Sequence, residues 1–219
     1  RLQGDWSSDV CSSDLATGIL ILPQRNPVVL AKEVATLDAM SGGRVELGIG
    51  VGWLEEEFDA IGVPFRERGA RTDEYVAAMR ALWAEDRASF AGRFTGFTDC
   101  IQRPQPTRGG VPIHVGGHSE AAARRAGRLG DGFFPGKGNH EELARLIGIA
   151  RESAIEHGRD PDAIQVTAGS GGIFGPDALD EVKRMADLGV HRLVVPSVLY
   201  FSDTADALAR FGDTIIAKA

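Results

Sequence analysis

The chain has 219 residues, a net charge of −7, 43% hydrophobic residues and 25% charged residues. That balance suits one sizeable globular domain, and the acidic surplus excludes the basic face on which nucleic-acid phosphates bind. No apolar run approaches the roughly 18 residues of a membrane span, no secretory leader opens the sequence, and Cys11 and Cys100 make neither a disulfide framework nor a zinc site, so no membrane contact is expected and the expected setting is cytoplasmic.

Residues 1–15 (RLQGDWSSDVCSSDL) repeat Ser7-Ser8-Asp9 as Ser12-Ser13-Asp14 and show no helix or strand period. The segment resembles the translation of a ligated sequencing adapter. It is therefore expected to be non-native, with the folded domain over residues 16–219 and the natural N-terminus lost upstream.

From Ala16 onward apolar runs alternate with helical periods. Residues 17–22 (TGILIL) predict a strand. Asn26-Pro27 predicts an N-cap followed by proline at the first helical position. The helix runs to about Met40, with Val34 and Leu37 on its inner face, and Gly42-Gly43 ends it. Residues 44–49 predict a strand. Helices follow over about 54–60 and 69–84, the second with Thr72 as its cap and Tyr75, Met79, Leu82 and Trp83 at helical spacing. Residues 86–110, rich in Gly, Pro, Arg and Thr, predict a long irregular loop, a length that usually carries function. Next come a strand at 113–115, a helix at 119–128, a strand at 131–134 and a helix at 140–157 stopped by Gly158. A strand at 164–168, a helix at 176–188 stopped by Gly189, and a strand at 191–195 follow. Asp203 caps a last helix to about Ile216. Six short, continuously apolar strands alternating with helices imply a parallel sheet with both faces covered. An open doubly wound sheet and a (β/α)8 barrel both fit; a barrel lacks two strands, and the non-native segment lies where they belong.

Four glycine-rich stretches follow strand ends. Gly48-Ile49-Gly50-Val51-Gly52-Trp53 fails the dinucleotide fingerprint, because its third glycine falls on Trp53. It reads either as a tight turn or as backbone brought close to a flat cofactor ring, with Trp53 and Glu56 beside it. Gly116-Gly117-His118-Ser119 opens a helix, where bare amides suit an anion, or simply caps it. His114 and His118 straddle this turn and share no helical face, so no metal site is expected. Pro135-Gly136-Lys137-Gly138 is either a solvated turn or a lysine facing an acidic ligand. Ala168-Gly169-Ser170-Gly171-Gly172 is either a phosphate loop or a flexible one. No nucleophile triad or hydrolytic carboxylate pair is visible, so a cofactor is expected to carry the chemistry.

Three long stretches resemble one family. TGILILPQRNPVVLAKEVATLDAMSGGRVEL (17–47) resembles the third strand and helix of the luciferase-like flavin and deazaflavin oxidoreductases. GIGVGWLEEEFDAIGVPFRERGARTDEYVAAMRALW resembles their segment after strand four, and PIHVGGHSEAAARRAGRLGDGFFP their strand five, phosphate turn and strand six. The resemblance implies a (β/α)8 TIM barrel of the bacterial luciferase-like type, here with strands three to eight. It implies hydride transfer between the deazaflavin coenzyme F420 and a small organic substrate, with an FMN-dependent monooxygenase or a non-catalytic flavin-binding relative as alternatives, and a homodimer. Gly18 and Ile19 match a bulge with a non-proline cis peptide that presses on the cofactor ring; Gly50, Gly52, Trp53 and Glu56 match the ring's surroundings, and Gly116, Gly117 and Ser119 the phosphate turn. Lys137 matches a substrate-binding lysine on a loop that is shorter here. The family's general acid lies near the end of its second strand, so no catalytic residue is assigned, and a chain without its first two strands is expected to express poorly or bind cofactor weakly, with an inert fragment as a further alternative.

Overall fold

A computed structural model describes residues 14–136, 139–196 and 204–218. These fall into two compact units, one within Arg1–Gly116 and Leu129–Asp131, the other within Gly117–Arg128 and Gly132–Ala219.

In the first unit the predicted strand at 17–22 is two short pieces, β1 (Leu15–Ala16) and β2 (Leu20–Ile21), separated by a cis Gly18–Ile19 peptide. Both pair in parallel with β3 (Val45–Gly50), Leu15 opposite Val45 and Leu20 opposite Ile49. Leu15, counted by its sequence in the non-native segment, is thus the first strand-paired residue among those described. On its other side β3 pairs in parallel with β6 (Ile113–Gly116), Gly48 opposite His114. Alternation along β3 sends Val45, Leu47 and Ile49 to one face and Glu46, Gly48 and Gly50 to the other; all six are buried.

Asn26 caps α1 (Pro27–Ser41) as its sequence requires, its Oδ1 accepting from the amides of Val28 and Val29 at 3.0 and 3.2 Å. The buried stripe of α1 is Leu30, Ala31, Val34, Ala35 and Asp38. Leu37 was expected on this face but is exposed, because it falls about 100° of helical rotation from Asp38 and outside the stripe. After a short helix α2 (Glu55–Ala60), α3 runs Arg68–Ala84. It starts one residue before the expected Gly69, and Thr72, expected as its cap, lies inside the helix with its hydroxyl donating to the Arg68 carbonyl at 2.8 Å. Trp83 on α3 donates its indole N–H to the Ala31 carbonyl of α1 at 3.0 Å, tying the two helices across the buried stripe.

The stretch 86–110 corrects the expectation of an irregular loop. It holds an antiparallel hairpin, β4 (Ala88–Ala91) and β5 (Gly96–Cys100), with Phe90 stacked on Phe97 at 5.9 Å. Its tip is held by one carboxylate: Glu74 on α3 accepts from the amides of Arg93, Phe94 and Thr95 at 2.7–2.8 Å.

In the second unit β7 (Gly132–Phe134), β8 (Gln165–Gly169) and β9 (Arg192–Val194) form a parallel run in that order. Helices α4 (Glu120–Leu129), α5 (His140–Glu156) and α6 (Ala178–Asp187) accompany them, and α7 (Thr204–Phe211) continues into one π-helical turn to Ile216. Gly158 and Gly189 stand just past α5 and α6, as expected. Leu143 and Ile147 of α5, Val166 and Ala168 of β8, and Met185 of α6 make the core with Val190. Asn139 caps α5 through the Glu142 amide at 2.9 Å. Asp203 lies outside the described residues.

Candidate cofactor site

In the first unit the cofactor-facing candidates converge on Ile19. Its side chain lies across three glycines on two neighbouring strands, Gly48 and Gly50 on β3 and Gly116 at the end of β6. A Cβ on Gly116 would stand 2.9 Å from Ile19 Cγ2, and one on Gly48 would stand 3.3 Å from the same atom. One on Gly50 would collide with Ile19 Cδ1. A Cβ on Gly48 would also strike the Thr17 carbonyl, whose own residue donates its hydroxyl to the Gly48 carbonyl at 2.8 Å. The missing side chains leave a trough in which Ile19 lies down, and 38% of Ile19 remains exposed. The exposed part of Ile19 is apolar area that a ligand lying against it would remove from water.

Gly52 turns the chain away from this trough. Its φ is +81°, and a Cβ there would stand 2.7 Å from Phe58 and 2.9 Å from Ile21; conformation and space both demand glycine. Phe58 is fully buried and meets Phe65 edge to face at 5.3 Å. That packing anchors α2 and leaves Trp53 at the corner, 81% exposed. Glu56 is exposed in the first turn of α2.

The structure also fills the face of β3 behind the glycines. Glu46 Oε2 stands 3.0 Å from His114 Nε2, and both side chains are buried. This pair was missed at the level of sequence, where His114 was weighed only as a metal ligand. The available signal was an acidic residue two positions before Gly48 in an otherwise apolar strand, since carboxylates are almost never buried unpaired.

In the second unit Gly117 has a φ of +132° and donates its amide to the Phe134 carbonyl at 3.1 Å. A Cβ on it would stand 2.8 Å from Ala122 Cβ. Ser119 Oγ accepts from the Ala122 amide at 3.2 Å, so this residue does cap α4. Lys137 lies outside the described residues. Among the described residues no group of three or more His, Cys, Asp or Glu side chains is placed to hold a metal ion, and no helix is long and apolar enough to cross a membrane.

Residues 14–210 match the family model described as luciferase-like monooxygenase. An uncharacterized protein of Mycobacterium tuberculosis (strain ATCC 25618 / H37Rv) is 36% identical over 210 residues, 91% of this chain and 70% of its own length. The F420-dependent glucose-6-phosphate dehydrogenase of Nocardia farcinica is 38% identical over 157 residues, 68% of this chain and 46% of its own length. The FMNH(2)-dependent dimethylsulfone monooxygenase of Pseudomonas putida is 34% identical over 137 residues, 61% of this chain and 38% of its own length. The coenzyme F420-dependent tetrahydromethanopterin reductase of Methanopyrus kandleri superposes with a TM-score of 0.80 at 19% identity, over 97% of this chain and 85% of that one. Its likeness identifies the fold as the luciferase-like (β/α)8 barrel, of which six parallel strand positions are described here. With this fold and the match over residues 14–210, the chain belongs to the luciferase-like monooxygenase family, whose relatives include F420-dependent and FMNH2-dependent oxidoreductases.

Proposed function

We propose that the protein is an oxidoreductase that moves a hydride between the deazaflavin coenzyme F420 and a small organic substrate. The observation that carries this reading is the Ile19 platform: three side-chain-free positions under one half-open isoleucine fit a planar tricyclic ring. When bound, the coenzyme would accept or give the hydride at its ring. Gly18 and Ile19 would support the ring from below, Gly50 and Gly116 would keep Ile19 flat, and Trp53 and Glu56 would border it. Gly52 holds the corner that places Trp53. The turn Gly117–Ser119 is read as the position of the coenzyme's phosphate, with the His118 and Ser119 amides as donors, that of Gly117 being given to the Phe134 carbonyl. Lys137 is read as a contact for an anionic substrate group. Positioning and exclusion of water are the contributions such a site makes to hydride transfer. A homodimer accompanies this reading from the family resemblance, and a cytoplasmic setting from the composition of the chain.

F420 is placed ahead of FMN because the Nocardia relative matches more of this chain than the Pseudomonas one, at higher identity. FMN-dependent oxygenation is the second reading, and it rests on that Pseudomonas match. Titrating the purified protein with F420 and with FMN, followed by fluorescence, separates them: saturable quenching with F420 and none with FMN is expected. Tight FMN binding without F420 binding would replace the first reading by the second.

A further inference from the structure

The stretch Ala168–Gly172, open in sequence between a phosphate loop and a flexible one, is the seat of a buried carboxylate. Glu181 on α6 reaches beneath it, and only 8% of the Glu181 side chain is exposed. Its Oε1 accepts from the Ser170 hydroxyl at 2.5 Å and lies 2.8 Å from Nε2 of His140. Ser170 Oγ in turn accepts the Gly172 amide at 3.1 Å. A Cβ on Gly172 would stand 2.8 Å from Glu181 Cγ and 2.9 Å from its Cδ, so glycine at this position makes the room. Three residues about 10 to 40 positions apart therefore meet at one oxygen, on the side where β7 and β8 end: His140 opens α5 after β7, and Ser170 follows Gly169, the last residue of β8. In α/β proteins ligands bind on that side of the sheet.

We propose that His140, Glu181 and Ser170 form a proton-accepting site that takes a hydroxyl-bearing organic ligand through Nδ1 of His140. Burial is uneven across the pair: the carboxylate is enclosed while the His140 side chain is 41% exposed. The Ser170 hydrogen bond holds the Glu181 carboxyl below its ordinary range, burial opposes this, and His140 and Arg184 assist. Glu181 is thus ionised and can only accept. The hydrogen of a neutral His140 ring then sits on Nε2, and Nδ1 carries a lone pair. Among the described residues nothing is hydrogen-bonded to Nδ1. A carboxylate behind an imidazole fixes its tautomer and keeps the lone pair on the outer nitrogen. The same negative charge disfavours an anionic ligand and favours a hydroxyl that donates. This site stands apart from the cofactor reading and does not depend on it.

The test uses the full 219-residue chain labelled with 15N-histidine. Long-range 1H–15N spectra report the tautomer of each ring, and Nε2–H is expected at His140; Nδ1–H there overturns the proposal without any variant. Diethyl pyrocarbonate, mapped by mass spectrometry, serves as electrophilic probe of the free nitrogen. Glu181→Gln should slow acylation of His140 about tenfold, the worth of a hydrogen bond to a charged group. Ser170→Ala, which keeps Glu181 and His140 together, should give a smaller reduction. Equal rates in the unsubstituted chain and in folded Glu181→Gln overturn the proposal. Glycerol is the hydroxyl probe: it should shift the His140 Nδ1 resonance saturably, and an unmoved resonance overturns the assignment of the ligand.

Discussion

Glu46 and His114 face each other across the β3–β6 pairing, with Oε2 and Nε2 3.0 Å apart and both side chains withdrawn from water. They lie on the strand face that also carries Gly48, Gly50 and Gly116. Removing one partner leaves the other buried group without its hydrogen bond, which costs about 1–3 kcal/mol, whereas replacing both partners by apolar groups of the same shape is often nearly neutral. His114→Phe alone should therefore lower the urea midpoint sharply. Glu46→Leu with His114→Phe should recover most of that loss. A double variant no more stable than the single one would show that the pair does more than neutralise itself.

The Ile19 platform predicts a specific rescue. Gly116→Ala places a methyl 2.9 Å from Ile19 Cγ2 and must lift that side chain. Overpacking of this kind costs about 1–3 kcal/mol, and coenzyme affinity should fall with it. Shortening the other partner by Ile19→Ala removes the collision, so the double variant should regain stability relative to Gly116→Ala. Coenzyme binding should stay weak, because the apolar platform is gone. A double-mutant cycle on unfolding, read beside an F420 titration, separates the two effects.

Much of this architecture was legible before any coordinates. Asn26-Pro27, Gly158 and Gly189 marked helix ends through local chemistry that needs no tertiary partner. The cis Gly18–Ile19 peptide was expected only through the family resemblance, because nothing in the residues Gly-Ile themselves requests it. The hairpin at Ala88–Cys100 escaped notice because its stability is borrowed: Glu74, about 20 residues upstream, supplies the acceptor for three tip amides. The Glu181 cluster was invisible for the same reason, since residues 140, 170 and 181 share no period and meet only when α5, β8 and α6 pack. Leu37 departs from its expected face because periodicity fixes a helix face only to within about one residue, and Thr72 from its expected cap because a hydroxyl inside a helix can bond the carbonyl four residues back instead.

That borrowed hairpin gives the next expectation. Glu74→Ala removes the acceptor for the amides of Arg93, Phe94 and Thr95, two of which are partly buried. Hydrogen bonds to a charged group are worth about 1.5–3 kcal/mol each. The tip should open while α3 persists, because the helix interior keeps Tyr75, Val76, Met79 and Leu82 buried. Amide exchange should accelerate over 88–100 and stay unchanged over 76–83. Uniform acceleration across both segments would mean that the hairpin and α3 unfold as one piece.

Glu181 ties stability to pH in a direction that its partners decide. Its carboxyl lies below the ordinary range in the folded state, chiefly through the Ser170 hydroxyl, with burial opposing and His140 and Arg184 adding to the same side. The unfolded chain, with an ordinary carboxyl near 4.3, about the value of a free glutamate, therefore binds more protons in the window between the two values. Stability then rises with pH through that window and is fully present above the unfolded value. On acidification it is lost as pH falls toward the folded value, and below both nothing further is lost from this group. Glu181→Gln cannot titrate, so its unfolding free energy should be flatter than that of the unsubstituted chain as pH falls below the ordinary glutamate value toward the depressed one. Ser170→Ala removes the largest cause of the depression and should move the acid limb toward that of Glu181→Gln while leaving the neutral-pH plateau less affected. Urea titrations at half-unit pH steps measure both slopes. Parallel limbs in all three proteins would mean that Glu181 keeps an ordinary carboxyl and that the Ser170 contact does not hold it ionised.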